Sequence, residues 1–258
     1  MNTERPLILV VNDDGVTAPG IRTLIRLMKT IGDVVVVAPN SPQSGMSHAI
    51  TLEAPLYVER VVLESGSQIE YACSGTPADC VKLAFNKLLT RKPDLCVSGI
   101  NHGSNSSTNV LYSGTMAAAL EGAIKGIPSI GFSLLDHSQD ADFSQSEEFV
   151  LKIAKQVLKN GLPSGVCLNV NIPKLPKEEL KGFKICRQAD GKWQEDIEER
   201  TSPLGKIYYW LFGSFVNFDK GNDTDIWALE NNYISVVPVQ FDLTAHDSIQ
   251  QLKTWNNG

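Results

Sequence analysis

Leu7 to Val11 is an unbroken apolar run with the length of a strand buried on both faces, as in a parallel sheet. Beyond Asn12-Asp13-Asp14-Gly15, which carries turn chemistry, Ile21, Leu24, Ile25, Met28 and Ile31 recur at helical spacing. Arg22, Arg26 and Lys29 fall on the opposite face, and Gly32 stops the element, so a helix is predicted over Gly20 to Ile31. Val34 to Val37 is a second buried strand. A strand–helix–strand opening of this kind predicts a right-handed crossover in a parallel sheet.

The alternation continues. Thr76-Pro77 has a capping hydroxyl followed by proline and predicts a helix whose apolar face is Val81, Ala84, Phe85 and Leu88. Leu95 to Val97 reads as a strand ending in a turn, Ser98-Gly99-Ile100-Asn101. Ser113-Gly114-Thr115 opens an alanine-rich helix to about Lys125. Strands are predicted at Pro128 to Phe132 and Val166 to Val170, with a helix marked by Phe149, Val150, Ile153, Ala154 and Val157 between them. After Pro173 the texture changes. Residues 182–222 mix aromatics, charges and glycines and predict hairpins, followed by a helical turn near Ile226 to Leu229 and a strand at Ile234 to Val239. The later segment lacks an obvious core of its own. A single domain over 1–258 is therefore expected, with a core of about 1–172 and a hairpin and arm region of about 173–258.

Composition narrows the function. The 258 residues are 42% hydrophobic, enough for a sizeable core. A net charge of −6 argues against a general nucleic-acid surface, which needs basic patches, but leaves room for a small anionic substrate beside a cation. Five cysteines with no C-x-x-C pair fit reduced thiols in the cytoplasm. Met1 to Pro6 leads straight into the first strand, so no secretory signal is expected, and no run is long enough to cross a bilayer. His48, His102, His137 and His246 show no zinc-ligand spacing.

Ligands of open α/β sheets collect beyond the carboxyl ends of the strands, and three polar segments fall there. In the first, Asp13 and Asp14 are adjacent. Two like charges at close range repel by about 4 kcal/mol at an effective dielectric near 20, and a divalent cation turns that repulsion into attraction. Oxygen ligands suit Mg²⁺ or Mn²⁺. Taken alone, the pair reads equally as two solvated acids ahead of a helix. The second segment, Asn40 to His48, offers Gly45 for close approach and serine hydroxyls as neutral ligands. The third offers the Asn101 amide. Each of these two, taken alone, reads as an ordinary turn. Ser113-Gly114-Thr115 differs, because free N–H groups at a helix start suit a phosphate, although a plain cap has the same appearance.

Together these segments resemble the SurE family, the survival-protein nucleotidases. The matching stretches are Ile8 to Gly15, Val37-Ala-Pro-Asn40 with Gln43-Ser-Gly45, Ser74 to Asp79, and Val97 to Asn101. Leu111 to Thr115 with Glu121-Gly122, and Asp242 to Ala245, complete the set and keep its order. The resemblance implies a Rossmann-like three-layer α/β fold with a mostly parallel central sheet. It also implies a phosphomonoesterase of nucleoside 5′- and 3′-monophosphates with one divalent cation per subunit, Mg²⁺ or Mn²⁺, held by Asp13, Asp14, Ser44 and Asn101. Asp13 and Asp14 would be catalytic, while Asn12, Gly45, Ser113, Gly114 and Thr115 would contact the substrate. It further implies a homodimer or homotetramer with exchanged carboxyl-terminal segments. Two stretches depart from the family pattern: Asn40-Ser41-Pro42 is less charged, and His102 to Thr108 is rich in serine and asparagine.

Other readings fit less well. A haloacid-dehalogenase-type phosphatase, working through an aspartyl-phosphate, spaces its acids as D-x-D, whereas Gly15 stands in the place of the second acid here. A receiver-type module needs an aspartate after the third strand, where Ser98 and Asn101 occur instead. A dinucleotide-binding dehydrogenase needs G-x-G-x-x-G after strand one, which is absent.

Overall fold

Alternate residues of the first strand point to opposite sides of one sheet, and that alternation builds the two cores. The computed structural model describes residues 4–138 and 140–257. In β1 (Leu7–Val11), Ile8 and Val10 pack on one face against α1 (Pro19–Lys29) and α4 (Glu147–Asn160). Leu7, Leu9 and Val11 pack on the other against α2 (Pro77–Leu83), which continues as a wider π turn over Ala84–Leu88, and against Ala118 of α3 (Gly114–Ile124). Helices therefore cover both faces, giving three layers.

The remaining strands are β2 (Asp33–Pro39), β3 (Val58–Val61), β4 (Ile69–Cys73), β5 (Leu95–His102), β6 (Ser129–Leu134), β7 (Val166–Ile172), β8 (Phe183–Ile185) and β11 (Ile234–Gln240). The sheet order is β3-β4-β2-β1-β5-β6-β7-β11-β8. It is parallel from β4 through β7, with β3 antiparallel to β4 at one edge and β11 antiparallel to β7 near the other. The strands after Pro173 thus extend the main sheet. A separate hairpin, β9 (Gly191–Thr201) with β10 (Ile207–Asn217), projects from it, and almost all of its side chains are exposed. Two short helices complete the chain, α5 (Asp225–Glu230) and α6 (Ile249–Lys253).

Three features differ from the pattern read along the chain. β3 and β4 occupy a stretch that carries no long apolar run; most of their residues are half-buried or exposed, at the margin of the sheet where β3 is the edge strand. Ser98 to Asn101 lies within β5 rather than in a turn after it, and the pairing with β6 slips between Ser98 and Asn101. β8, only three residues long, joins the main sheet through β11.

Strand order reverses between β1 and β5: β2 lies on one side of β1 and β5 on the other. A crevice opens at such a switch point because the two flanking helices leave in opposite directions. Helix α1 is seated against β5 at Gly20, where a Cβ would lie 1.9 Å from the Ile100 carbonyl oxygen, so only glycine permits this approach beside Asn101.

Candidate active site

The carboxyl ends of β1 and β5 deliver Asp13, Asp14 and Asn101 to one cleft of about 810 Å³, which Ser44, Gly45 and Ser113 also line. Asn12 is buried behind it, with its amide N–H donating to the Gly15 carbonyl at 2.9 Å, which closes the turn.

Asp13 is 6% exposed and tightly held. Its Oδ1 accepts the Thr115 hydroxyl hydrogen, and its backbone carbonyl accepts from the Gln43 N–H at 2.8 Å. Helix α3 aims its first turn at this carboxylate: a Cβ on Gly114 would lie 2.8 Å from Asp13 Cβ and 3.0 Å from Oδ2. Burial lifts Asp13 from its ordinary 3.8 to about 6; the Thr115 bond opposes the rise and the neighbouring Asp14 charge adds to it. Burial also raises Asp14, with the charge of His102 working against it. Buried Asp14 Oδ2 and Asn12 Oδ1 have no hydrogen-bond partner. Asn101 commits its amide nitrogen to the His102 and Gly103 carbonyls at 3.2 and 3.0 Å, which leaves its oxygen as the uncommitted end.

These observations fit a hard cation: two adjacent carboxylates, an unpartnered carboxylate oxygen, an amide oxygen and a serine hydroxyl all belong to one cleft. Among the described residues no group of three or more His, Cys, Asp or Glu side chains is placed to hold a metal, so a mixed oxygen set is what the cleft offers.

Thr115, expected to contact the substrate, lies in the first turn of α3 beside Asp13. It is fully buried, and its hydroxyl donates to the Asp13 carboxylate and so orients it. Ser113 caps α3, its Oγ accepting from the Met116 N–H at 3.0 Å, and its own hydroxyl hydrogen remains free toward the cleft.

The loop carrying Ser44 and Gly45 is pinned on both sides. Gln43 holds it to Asp13, Ser47 Oγ donates to the Leu111 carbonyl at 2.6 Å, and His48 Nε2 lies 3.1 Å from Glu121 Oε2. Glu121 is buried on α3 and also takes Lys82 Nζ at 2.7 Å. Burial pushes its carboxyl up, but the His48 and Lys82 hydrogen bonds outweigh this and hold it below the ordinary range. A depressed carboxylate contributes stability above its unfolded value and loses it as pH falls through the folded one. Glu121→Gln removes the charge but keeps the shape. Because Lys82 and His48 are partly solvated, we expect a loss of only about 1–2 kcal/mol, read from the urea midpoint, together with weaker Mn²⁺ binding through the loosened Ser44 loop.

A buried polar network supports the segment between Asn101 and Ser113. Asn105 donates from its N–H to Asn171 Oδ1 at 2.8 Å and from its amide to Ser133 Oγ at 2.8 Å, and its carbonyl accepts from Asn169 Nδ2 at 2.8 Å. Asn171 Nδ2 donates to Asn169 Oδ1 at 2.9 Å, closing the ring across β6 and β7.

Several lining residues escaped reading along the chain. Tyr112 and Asn109 precede the α3 cap, and Trp193 and Phe215 come from the root of the hairpin. Only Tyr112 and Asn109 lie beside segments with evident polar chemistry.

By fold and site this is an α/β protein that gathers two carboxylates, an amide and serine hydroxyls where its strand order reverses. The chain belongs to the SurE family: the family model described as survival protein SurE matches residues 8–195. It is 64% identical over 257 residues to 5′-nucleotidase SurE of Christiangramia forsetii, covering 99% of both chains. It is 62% identical over 252 residues to 5′-nucleotidase SurE of Flavobacterium psychrophilum, covering 98% of both. A crystal structure of the SurE protein from Aquifex aeolicus is similar at a TM-score of 0.84 and 39% identity, covering 97% of this chain and 100% of that one.

Proposed function

We propose that the protein is a metal-dependent nucleotidase that hydrolyses nucleoside 5′-monophosphates, and 3′-monophosphates, to nucleoside and phosphate. The observation that carries this reading is the adjacent Asp13–Asp14 pair in the crevice between β1 and β5, with the N-terminus of α3 directed at Asp13. The names of the similar proteins point the same way. One divalent cation per subunit, Mg²⁺ or Mn²⁺, would be held by Asp13, Asp14, Ser44 and Asn101. When bound, it supplies Lewis-acid polarisation of a phosphoryl oxygen and neutralises the paired carboxylates.

The chain's own residues do the rest. Ser113 presents a free hydroxyl and, with the Gly114 N–H at the start of α3, binds substrate phosphate oxygens. Asn12 and Gly45 shape the walls against which the phosphate sits. Thr115 fixes the rotamer of Asp13, whose second oxygen is left to orient the attacking water and take its proton.

We take the chain as one functional unit in a homodimer or homotetramer. The hairpin leaves Tyr209, Trp210 and Leu211 more than half exposed, an apolar surface that supports burial against another subunit. A groove of about 670 Å³ beside the 240–243 segment, lined by Leu120, Ile124 and Val239, supports exchange of carboxyl-terminal segments. Five buried free thiols support a reducing, cytoplasmic setting, and no helix among the described residues is long and apolar enough to cross a membrane.

Phosphate release from a panel of nucleotides tests the function. With Mn²⁺ or Mg²⁺ present, 5′-monophosphates should be cleaved, and excess chelator should abolish release, with activity returning on metal addition. Turnover that persists unchanged in chelator removes the metal from the reading.

A further inference from the structure

At about 810 Å³ the cleft is larger than a phosphate needs. Besides the carboxylates and Ser113, it is lined by Trp193, Phe215, Ile226 and Leu229. Among the described residues no lysine or arginine lines it and Glu230 does, so the space beside these apolar walls suits a neutral flat ring better than a second anionic group. Trp193 is 44% exposed although it lies in a cleft, so part of its ring is open to a ligand. Its orientation is fixed. Nε1–H donates to Asn109 Oδ1 at 2.7 Å, and Phe215, its cross-strand partner, meets it edge-to-face with centroids 6.4 Å apart and planes at 77°.

The platform is also tied to the phosphate end. Thr108 Oγ1 donates to the Gly191 carbonyl at 2.7 Å, and Ser107 Oγ donates to the Ala189 carbonyl at 2.8 Å. Buried Asp225 accepts from the N–H groups of Ser107 and Ala189 at 2.7 and 3.0 Å. The hairpin root is thereby fastened to the segment that runs from Asn101 to Ser113. The indole is held by Asn109, four residues before Ser113.

We propose that Trp193, backed by Phe215 and oriented by Asn109, is the surface on which the substrate's nucleobase stacks, making it the specificity-determining residue that separates nucleotides from other phosphate monoesters. This rests on the nucleotidase reading above. Stacking on an indole tolerates any base because every base has a π face, so the contact selects for a base rather than for a particular one.

Ribose 5-phosphate is 5′-AMP without its base, so comparing the two isolates the contact. In the full-length protein with Mn²⁺, Trp193→Ala should lower kcat/KM for 5′-AMP by about tenfold or more, mainly through KM, since loss of base–aromatic stacking has this order of effect. Ribose 5-phosphate should change by less than about twofold, and Trp193→Phe should restore most of the 5′-AMP activity. An equal fall for both substrates would make Trp193 a scaffold residue and overturn the proposal, as would no change for either. If the parent protein with metal releases phosphate from neither compound, the nucleotidase reading itself fails, and that result stands apart from any effect of the variants.

Discussion

Asp13→Asn protein should release no measurable phosphate from nucleotides, a loss of at least about a thousandfold, and yet melt several degrees above the parent when both are freed of divalent metal. The two effects share one cause. Asp13 is buried beside Asp14, and burial with that second charge lifts it from 3.8 to about 6. An acid raised in the folded state opposes folding once ionised. Below about pH 4 both states carry the proton and the penalty is absent; it grows between about pH 4 and 6 and is complete above that. The rise corresponds to about 2–3 kcal/mol, or about 5 °C for a chain of this size. Asparagine keeps an oxygen for the Thr115 hydroxyl and carries no charge, so the penalty disappears along with a cation ligand. Thermal melts in chelator at pH 4 and pH 8 check the sign: the gain should be complete at pH 8 and small at pH 4. A variant that keeps its phosphatase activity with metal present would remove Asp13 from the chemistry.

Gly114→Ala should cost about a hundredfold in kcat/KM for 5′-AMP while leaving the protein folded, with a loss of no more than about 1–3 kcal/mol of stability. Alanine at the first turn of α3 favours the helix by up to about 1 kcal/mol, so propensity alone predicts a firmer protein. The added methyl, however, would stand 2.8 Å from Asp13 Cβ and 3.0 Å from Oδ2. Asp13 Cβ does not move when its side chain rotates, so the end of β1 and the start of α3 must shift apart, taking the carboxylate and its bond from Thr115 with them. Displacement of a reacting group by about 1 Å is enough for a loss of this order. Parallel measurement of the urea midpoint and of kcat/KM separates the outcomes. Unfolding of the variant at the assay temperature would point to general disruption rather than to a displaced Asp13.

The parts of the site that could be read along the chain are those where a local pattern meets a fold rule. Asp13 and Asp14 are visible because they follow a strand that is apolar at every position, and Ser113 because it caps an obvious helix. The bond between Thr115 and Asp13 joins positions 102 residues apart and has no local signature. Trp193 is equally silent, because the exposed hairpin lacks the alternation a half-buried strand would show. β3 escaped because an edge strand keeps few apolar positions, and β4 because Glu70, buried against Arg22, interrupts its apolar residues. Asn101 was legible as a polar residue at a strand end but not as part of β5, since the slip in pairing that turns it there is set by its neighbour β6. Similar logic applies to Glu121: a carboxylate on an alanine-rich helix gives no sign that a histidine 73 residues earlier will reach it.

The ring of amides beneath residues 104–106 sets a rule for anyone who rebuilds this enzyme. Each member of that ring uses a donor or acceptor that another member supplies, so the surface segment and the strands under it form one interlocking part. A transplant of the segment into a distant relative has to carry Ser133, Asn169 and Asn171 with it. Moved by itself, it would strand amide groups in a dry interior and arrive without the footing that keeps the catalytic mouth in shape.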